Sequence, residues 1–217
     1  MLSAVTTVLL WWLPQNYSSP ASFEAGVALA ANPAYLARLW VNFLHVFIAL
    51  VAYGGLAAVL ARRAPALAWT GLVAMAFWAF AEALGLSINI WAQNGAWRSG
   101  YAAADPATRD LIRNAVFVYQ GIWNGVFFVV LVCFALGSSA LGLACWAPAL
   151  SDRILSTLLL LAVPLTLVIT VDGYFGARLG IWIDWSYPIL QPVSHTAMAA
   201  WLWHAAVNPG LDGRQLV

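Results

Sequence analysis

The sequence predicts an all-α integral membrane bundle, five transmembrane helices plus a short N-terminal helix, and three observations carry that prediction. Of 217 residues, 64% are hydrophobic and only 8% are charged, against roughly 25% charged in soluble domains. All nine basic residues are arginine. Five long apolar stretches recur, each close to the ~20 residues that carry a helix across ~30 Å of hydrocarbon. Helix is the expected form because lipid offers backbone groups no partner outside their own segment. A net charge of +1 without any basic run excludes nucleic acid as a partner, since neutralising phosphates needs clustered cations. The lipid bilayer is the first partner that composition names.

The five spans run Tyr35–Ala61, Ala66–Ala92, Asn114–Leu136, Ile154–Tyr174 and Pro188–Val207. Ahead of them, the apolar run Ala4–Leu13 in "MLSAVTTVLLWWLP" is too short to cross upright and lacks the basic start and cleavage site of a secretory signal. It reads as a short first helix anchored by Trp11 and Trp12 at an interface, so the helix total is five or six. "PQNYSSPASFEAGVALAANP" is polar and proline-bounded, with a surface helix expected over Ser22–Ala31, while "RRAP" is a tight turn that forces antiparallel neighbours. "NGAWRSGYAAADPATRD" is the main extramembrane loop. Within it Asp105 and Pro106 read as an N-cap followed by a first-turn proline, so the third helix starts before it enters the membrane. Its apolar continuation through "GSSALGLACW" exceeds the bilayer, and Gly137, Ser138 and Ser139 mark where it should bend or leave. "GARLGIWIDWSYP" is read as a tryptophan-rich connection at an interface. No internal repeat appears, which leaves one domain over residues 1–217.

Charge orients the bundle only weakly. With "RRAP" in the cytoplasm, Arg62, Arg63, Arg153 and Arg214 lie inside and Arg38, Arg98, Arg109, Arg113 and Arg178 outside, four against five. The paired arginines of the short turn favour that placement under the positive-inside rule. Cys133 and Cys145 share one apolar stretch and read as small packing residues.

Counting depth from the helix ends gathers the polar residues in one half of the membrane. His45 lies seven residues past Arg38, ~10 Å in. Glu82 lies eleven residues before Gln93 on an antiparallel helix, ~16 Å below the same surface. Gln120 and Asn124 follow Arg113, His195 follows Pro188 by seven residues, and Asp172 ends the fourth span on the same side. Helical spacing makes each set directional: Asn42 with His45, Trp78 with Glu82, Gly85 and Asn89, Gln120 with Asn124, Gln191 with His195. A polar pocket open toward Arg98 is therefore expected. Its lining would be Asn42, His45, Glu82, Asn89, Gln120, Asn124, Asp172, Gln191 and His195, with Trp78 and Trp123 as an aromatic wall. The other half, with "GGLAAVLA", "VVLVCFAL" and "LLLLAVP", should be dry.

Each of these residues also has a plain structural reading. A single amide or imidazole in a membrane helix is commonly interhelical glue, worth about 1 kcal/mol. Glu82 is harder to reduce to glue, because an intramembrane carboxyl costs at least ~2.5 kcal/mol on insertion scales and needs a partner or a wet cavity. Asp172 reads equally as a helix-end residue paired with Arg178. Trp40, Trp91, Trp97, Trp182 and Trp185 are belt residues.

Spacing tests specific chemistries. His45 and His195 form the minimal pair for axial haem ligation, whereas His195 and His204, nine residues apart, face opposite ways. His45, His195 and Glu82 are plausible metal-ligand types, yet no paired ligand spacing such as HxxxH or ExxH occurs. No Ser-His-Asp set, phosphate loop or CxxC motif is present, and the absence of lysine excludes a Schiff base to the protein. Charged rings and inverted repeats, the marks of channels and transporters, are missing.

Through "ALAANPAYLARLW", "AEAL" and "YAAADPATR" the chain resembles small bacterial polytopic membrane proteins grouped as a domain of unknown function. The resemblance covers most of the chain. It implies a compact bundle in the bacterial inner membrane and no activity. "AFWAFAEALG" and "IDWSYPILQPVSH" are similar in style, not in motif, to membrane-embedded isomerases and cyclases of sterols and terpenes. Two functions follow. One is a binder of a lipid, quinone, pigment or haem, or an accessory subunit among other membrane subunits, with the polar half-pocket holding a head group. The other is a membrane enzyme acting on a lipid or isoprenoid, with Glu82 as general acid or base and His45 or His195 as its partner.

Overall fold

The computed structural model describes residues 1–13, 20–177 and 182–207, without the side chains of 11 and 182–187. The described elements are helical: α1 Leu2–Trp12, α2 Phe23–Leu29, α3 Pro33–Leu60, α4 Pro65–Ile88, α5 Pro106–Cys145, α6 Leu150–Phe175 and α7 Trp182–Val207. Four are long and apolar enough to cross a membrane: α3, α4 with its continuation, α5 and α6. The protein is thus an integral membrane protein. The expected fifth span falls on α7, 26 residues long but interrupted in apolar character by Pro188, Pro192, Gln191, His195 and His204, and it is not among the four.

Local chemistry explains the helix ends. Asn32 caps α3 by accepting from the Ala34 and Tyr35 amides at 3.0 and 3.2 Å, with Pro33 in the first turn. Asp105 does the same for α5, accepting from the Thr108 amide and hydroxyl, each at 2.9 Å, as its sequence position before Pro106 predicts. Those bonds hold the Asp105 carboxyl below its ordinary pKa of 3.8. A depressed carboxyl stabilises the fold fully above its unfolded pKa and loses that contribution as pH falls through the lowered value. The protection of amides in the first turn of α5, taken relative to the intrinsic exchange rate at each pH, is therefore expected to fall on acidification below that range, and Asp105→Ala should show the lower protection already at neutral pH.

Two expectations about the third and fifth helices are corrected. The helix does not break off at Gly137–Ser139: α5 continues to Cys145. A Cβ on Gly137 would sit 2.9 Å from Met75 Cγ, and Ser139 bonds back to the Ala135 carbonyl at 2.8 Å, so the small residues admit α4 rather than break the helix. Helix α7 begins before Pro188 and carries Pro188 and Pro192 inside it. Prolines persist in membrane helices where neighbours re-satisfy the freed carbonyls. Residues 178–181 of "GARLGIWIDWSYP", with Arg178, lie outside the described residues, as does Arg214.

Neighbouring helices alternate in direction. Gly71 meets Leu141 and Gly85 meets Trp123 between α4 and α5. Ser156 of α6 donates to the Gly142 carbonyl at 2.7 Å, and the Tyr174 hydroxyl donates to the Asn124 carbonyl at the other end. Helix α7 returns to α3, where Leu202 packs on Gly55, and closes the ring. The side nearer the "RRAP" turn holds the apolar core, with Leu56, Leu60, Met75, Leu141 and Leu155 fully buried. Cys145 belongs to this core and Cys133 packs against it.

Polar groups lock that side. Arg63 donates to Asp152 at 2.8 Å and to the Cys145 and Ala144 carbonyls at 2.9 and 3.3 Å. Those carbonyls end α5, where a helix has orphan acceptors and a negative dipole end, and Asp152 lies in the first turn of α6, where a carboxylate is favoured. The Trp201 indole donates to the other Asp152 oxygen. One buried carboxylate thereby ties α3, α5, α6 and α7 together.

Candidate functional site

Six helices contribute to one cavity of about 320 Å³ on the side where α3 begins. Arg38, Asn42 and His45 come from α3, Trp78 and Glu82 from α4, Phe127, Val130, Leu131 and Phe134 from α5. Ile169, Asp172 and Gly173 come from α6, Pro188 and Gln191 from α7, and Leu10 from α1. Asn42 and the Trp78 indole make polar contacts to the half-buried Glu82 carboxyl. Opposite this polar wall stand the Phe127 and Phe134 rings, and Trp78 packs against Phe134 with centroids 5.8 Å apart. Head-group chemistry and apolar wall thus share one enclosure.

The residues expected in the pocket divide into three groups. Asn42, His45, Trp78, Glu82, Asp172 and Gln191 line the cavity. His195 lies behind it, 4% exposed, with its ring centroid 5.5 Å from that of His45. It lines a second, very small cavity of about 10 Å³ with Tyr53, Ser138 and Ser194, and Gln191 and Phe134 border both. The Tyr53 hydroxyl stands 3.5 Å from His195 Nε2. Both His195 nitrogens face hydroxyls, Nδ1 that of Ser3 and Nε2 that of Tyr53, so the ring has no nitrogen turned toward an iron shared with His45, and among the described residues no three His, Cys, Asp or Glu side chains converge as a metal site.

Asn89, Gln120, Trp123 and Asn124 do not line the cavity. Gln120 and Asn124 point outward. The depth count for them starts at Arg113, but Arg113 bonds to Glu24 at 3.0 Å and the Tyr101 hydroxyl at 2.8 Å in a cap above the bundle. Since Asn124 is level with Tyr174 at the end of α6, several turns of α5 stand beyond that plane. Trp123 fills the notch over Gly85 and stacks at 5.8 Å on Phe127, supporting the cavity wall from behind.

Asn89 belongs to a different network. What was expected as loop from Asn94 onward begins as a π-helix, Asn89–Arg98, that continues α4. In a π-helix residues five apart align, and Asn94 donates to the Asn89 side chain and carbonyl at 2.6 and 2.9 Å. Arg98, only 7% exposed, donates to Asn94 at 3.1 Å and, with the Gln93 amide oxygen turned toward it, to Gln93 at 2.7 Å. Gly26 of α2 leaves room for the guanidinium, 2.9 Å from where a Cβ would lie.

Sequence reasoning missed the contribution of α1. Ser3 and Thr7 are buried, and the Ser3 hydroxyl contacts His195 Nδ1 at 2.7 Å while Thr6 contacts His45 Nδ1 at 2.7 Å. The signal was present as Ser3, Thr7 and Leu10 at i, i+4, i+7, one helical face, with Leu2, Val5, Leu9 and Trp12 exposed on the other. Arg38 was also missed as a cavity residue, being counted as an interfacial charge.

No family model, curated protein or solved structure matches the chain. The resemblance to bacterial membrane proteins of unknown function accordingly brings no activity with it.

Proposed function

We propose that the protein binds a lipophilic small molecule in the membrane, its head group among Asn42, His45, Glu82, Asp172 and Gln191 and its apolar body against Trp78, Phe127 and Phe134. One observation carries this reading: a cavity of about 320 Å³ that joins polar residues from α3, α4, α6 and α7 to an aromatic wall. Ligand sites start near ~300 Å³ and combine apolar walls with a few placed polar groups. Lipid, quinone and pigment fit this chemistry better than haem, given how the histidines lie. Five helices, α3 to α7, form the transmembrane ring in this reading, with α7 the most polar because it faces the cavity, and α1 seated at the α3–α7 seam. The resemblance to bacterial proteins supports the bacterial inner membrane as location, and a role as ligand-holding subunit beside other membrane subunits follows from the same site.

The second reading, an enzyme acting on a lipid or isoprenoid, is supported by Glu82 lying in the cavity with Asn42 and Trp78 on its carboxyl. Glu82 would act as general acid or base with His45 as its neighbour in the lining. The test is lipid extraction and mass spectrometry of the purified protein, with its absorption spectrum. A stoichiometric lipophile is expected in the native protein and at least tenfold less of it in Glu82→Leu, conversion of the lipophile distinguishing enzyme from binder. No retained lipophile in the native protein, or equal retention in Glu82→Leu, would count against the site.

A further inference from the structure

We infer that the cavity takes a lipid alcohol, an amphiphile whose hydroxyl donates its one hydrogen to Nε2 of His45. This rests on the reading of the cavity as a lipophile site and deepens it by naming the head-group class.

The inference follows from where one proton goes. Thr6 Oγ1 lies 2.7 Å from His45 Nδ1, 2.9 Å from the Ser3 carbonyl and 3.1 Å from the Leu2 carbonyl. A hydroxyl has a single hydrogen, whereas a neutral imidazole has one donor nitrogen and one acceptor nitrogen. If Thr6 donates to a backbone carbonyl, Nδ1–H of His45 donates to Thr6, and two bonds form. If Thr6 donates to Nδ1, only one forms, and the carbonyl contacts are left without a proton. The larger set fixes the Nδ1–H tautomer of His45 and leaves Nε2 as a bare acceptor. The ring lines the large cavity, and Nε2 is the nitrogen left for its occupant.

Glu82 presents the same polarity. An indole N–H only donates, so the Trp78 contact engages the carboxyl as an acceptor. Nε2 of His45 and the Glu82 carboxyl are thus the acceptors of a lining whose donors are Arg38, Asn42 and Gln191. A hydroxyl head group matches them. A quinone or ester head offers only acceptors and would leave Nε2 of His45 unpaired, which costs more than a missing bond gains. Helix α1, by this account, sets selectivity without touching the ligand through Thr6, which is a positioning residue.

Farnesol, its methyl ether and decylubiquinone are the probes, measured for equilibrium binding to the full-length purified protein in detergent. The native protein should prefer farnesol to its ether by about tenfold, the effect of one buried hydrogen bond. Thr6→Ser should keep that preference and Thr6→Val should abolish it. Nitrogen-15 spectra of labelled histidine, with His45→Gln to assign the signal, should show Nδ1–H on His45 in the native protein and Thr6→Ser, and a different tautomer balance in Thr6→Val. Equal binding of farnesol and ether, tighter binding of decylubiquinone, or an Nε2–H tautomer in the native protein would overturn this inference alone. Binding of none of the three probes would overturn the lipophile reading beneath it.

Discussion

Asp152→Ala lowers the stability of the purified protein by about 2–3 kcal/mol, measured by thermal unfolding in detergent. Removing one member of a buried ion pair costs ~3–5 kcal/mol because the partner is left uncompensated. The lower figure applies here because the Arg63 side chain keeps 25% exposure against 11% for Asp152, so water screens part of the loss. Three consequences follow at once: the Arg63 guanidinium loses its carboxylate, the Trp201 indole loses its acceptor, and the start of α6 loses its helix-end charge. Arg153→Ala, one residue on and exposed, should stay within about 0.5 kcal/mol of the native protein. A similar loss from both substitutions would remove the argument that the junction of Asp152 with Arg63 and Trp201 is responsible.

Gly85→Ala should cost about 2–3 kcal/mol and weaken ligand retention as well, although it adds one methyl group. A Cβ there would stand 1.8 Å from Trp123 Cζ3, and a rigid indole cannot yield without a rotamer change or a helix shift. Trp123 rests on Phe127, so the displacement reaches the cavity wall. The double variant Gly85→Ala with Trp123→Leu should recover part of both losses, a coupling expected of residues in contact. Gly121→Ala and Gly125→Ala, where no atom lies within 4 Å of the added Cβ, should be neutral or stabilising by up to about 1 kcal/mol, the helix propensity difference. Additive effects in the double variant would remove the argument that Trp123 transmits the clash.

The particular residues show what the sequence could disclose. Apolar runs and caps place α3, α6 and the starts of α4 and α5 within a few residues. The end of α5 was missed because Gly137, Ser138 and Ser139 read as a break and are packing residues, and the end of α4 because backbone geometry changes at the π-helix after Ile88 without a change in composition. Asn42, His45, Glu82 and Asp172 were legible because an ionisable or amide group in lipid needs a reason. Gln120 and Asn124 were misplaced because depth was counted from Arg113, and a charge marks the interface only when it lies there. Ser3, Thr6 and Thr7 were overlooked because hydroxyls cost little in a membrane helix. Their role depends on which histidines face them, and that is a tertiary fact.

Helix α5 is a single rod of 40 residues, ~60 Å at 1.5 Å per residue, in a bilayer whose hydrocarbon is ~30 Å thick. Unbroken at its glycines and serines, it makes a lever: the Asp105 end stands clear of the lipid while Phe127 to Phe134 form a wall of the cavity. That end is not loose, since Arg113 bonds to Glu24 of α2 and to Tyr101, so a displacement of this cap would be passed along the helix to the cavity wall.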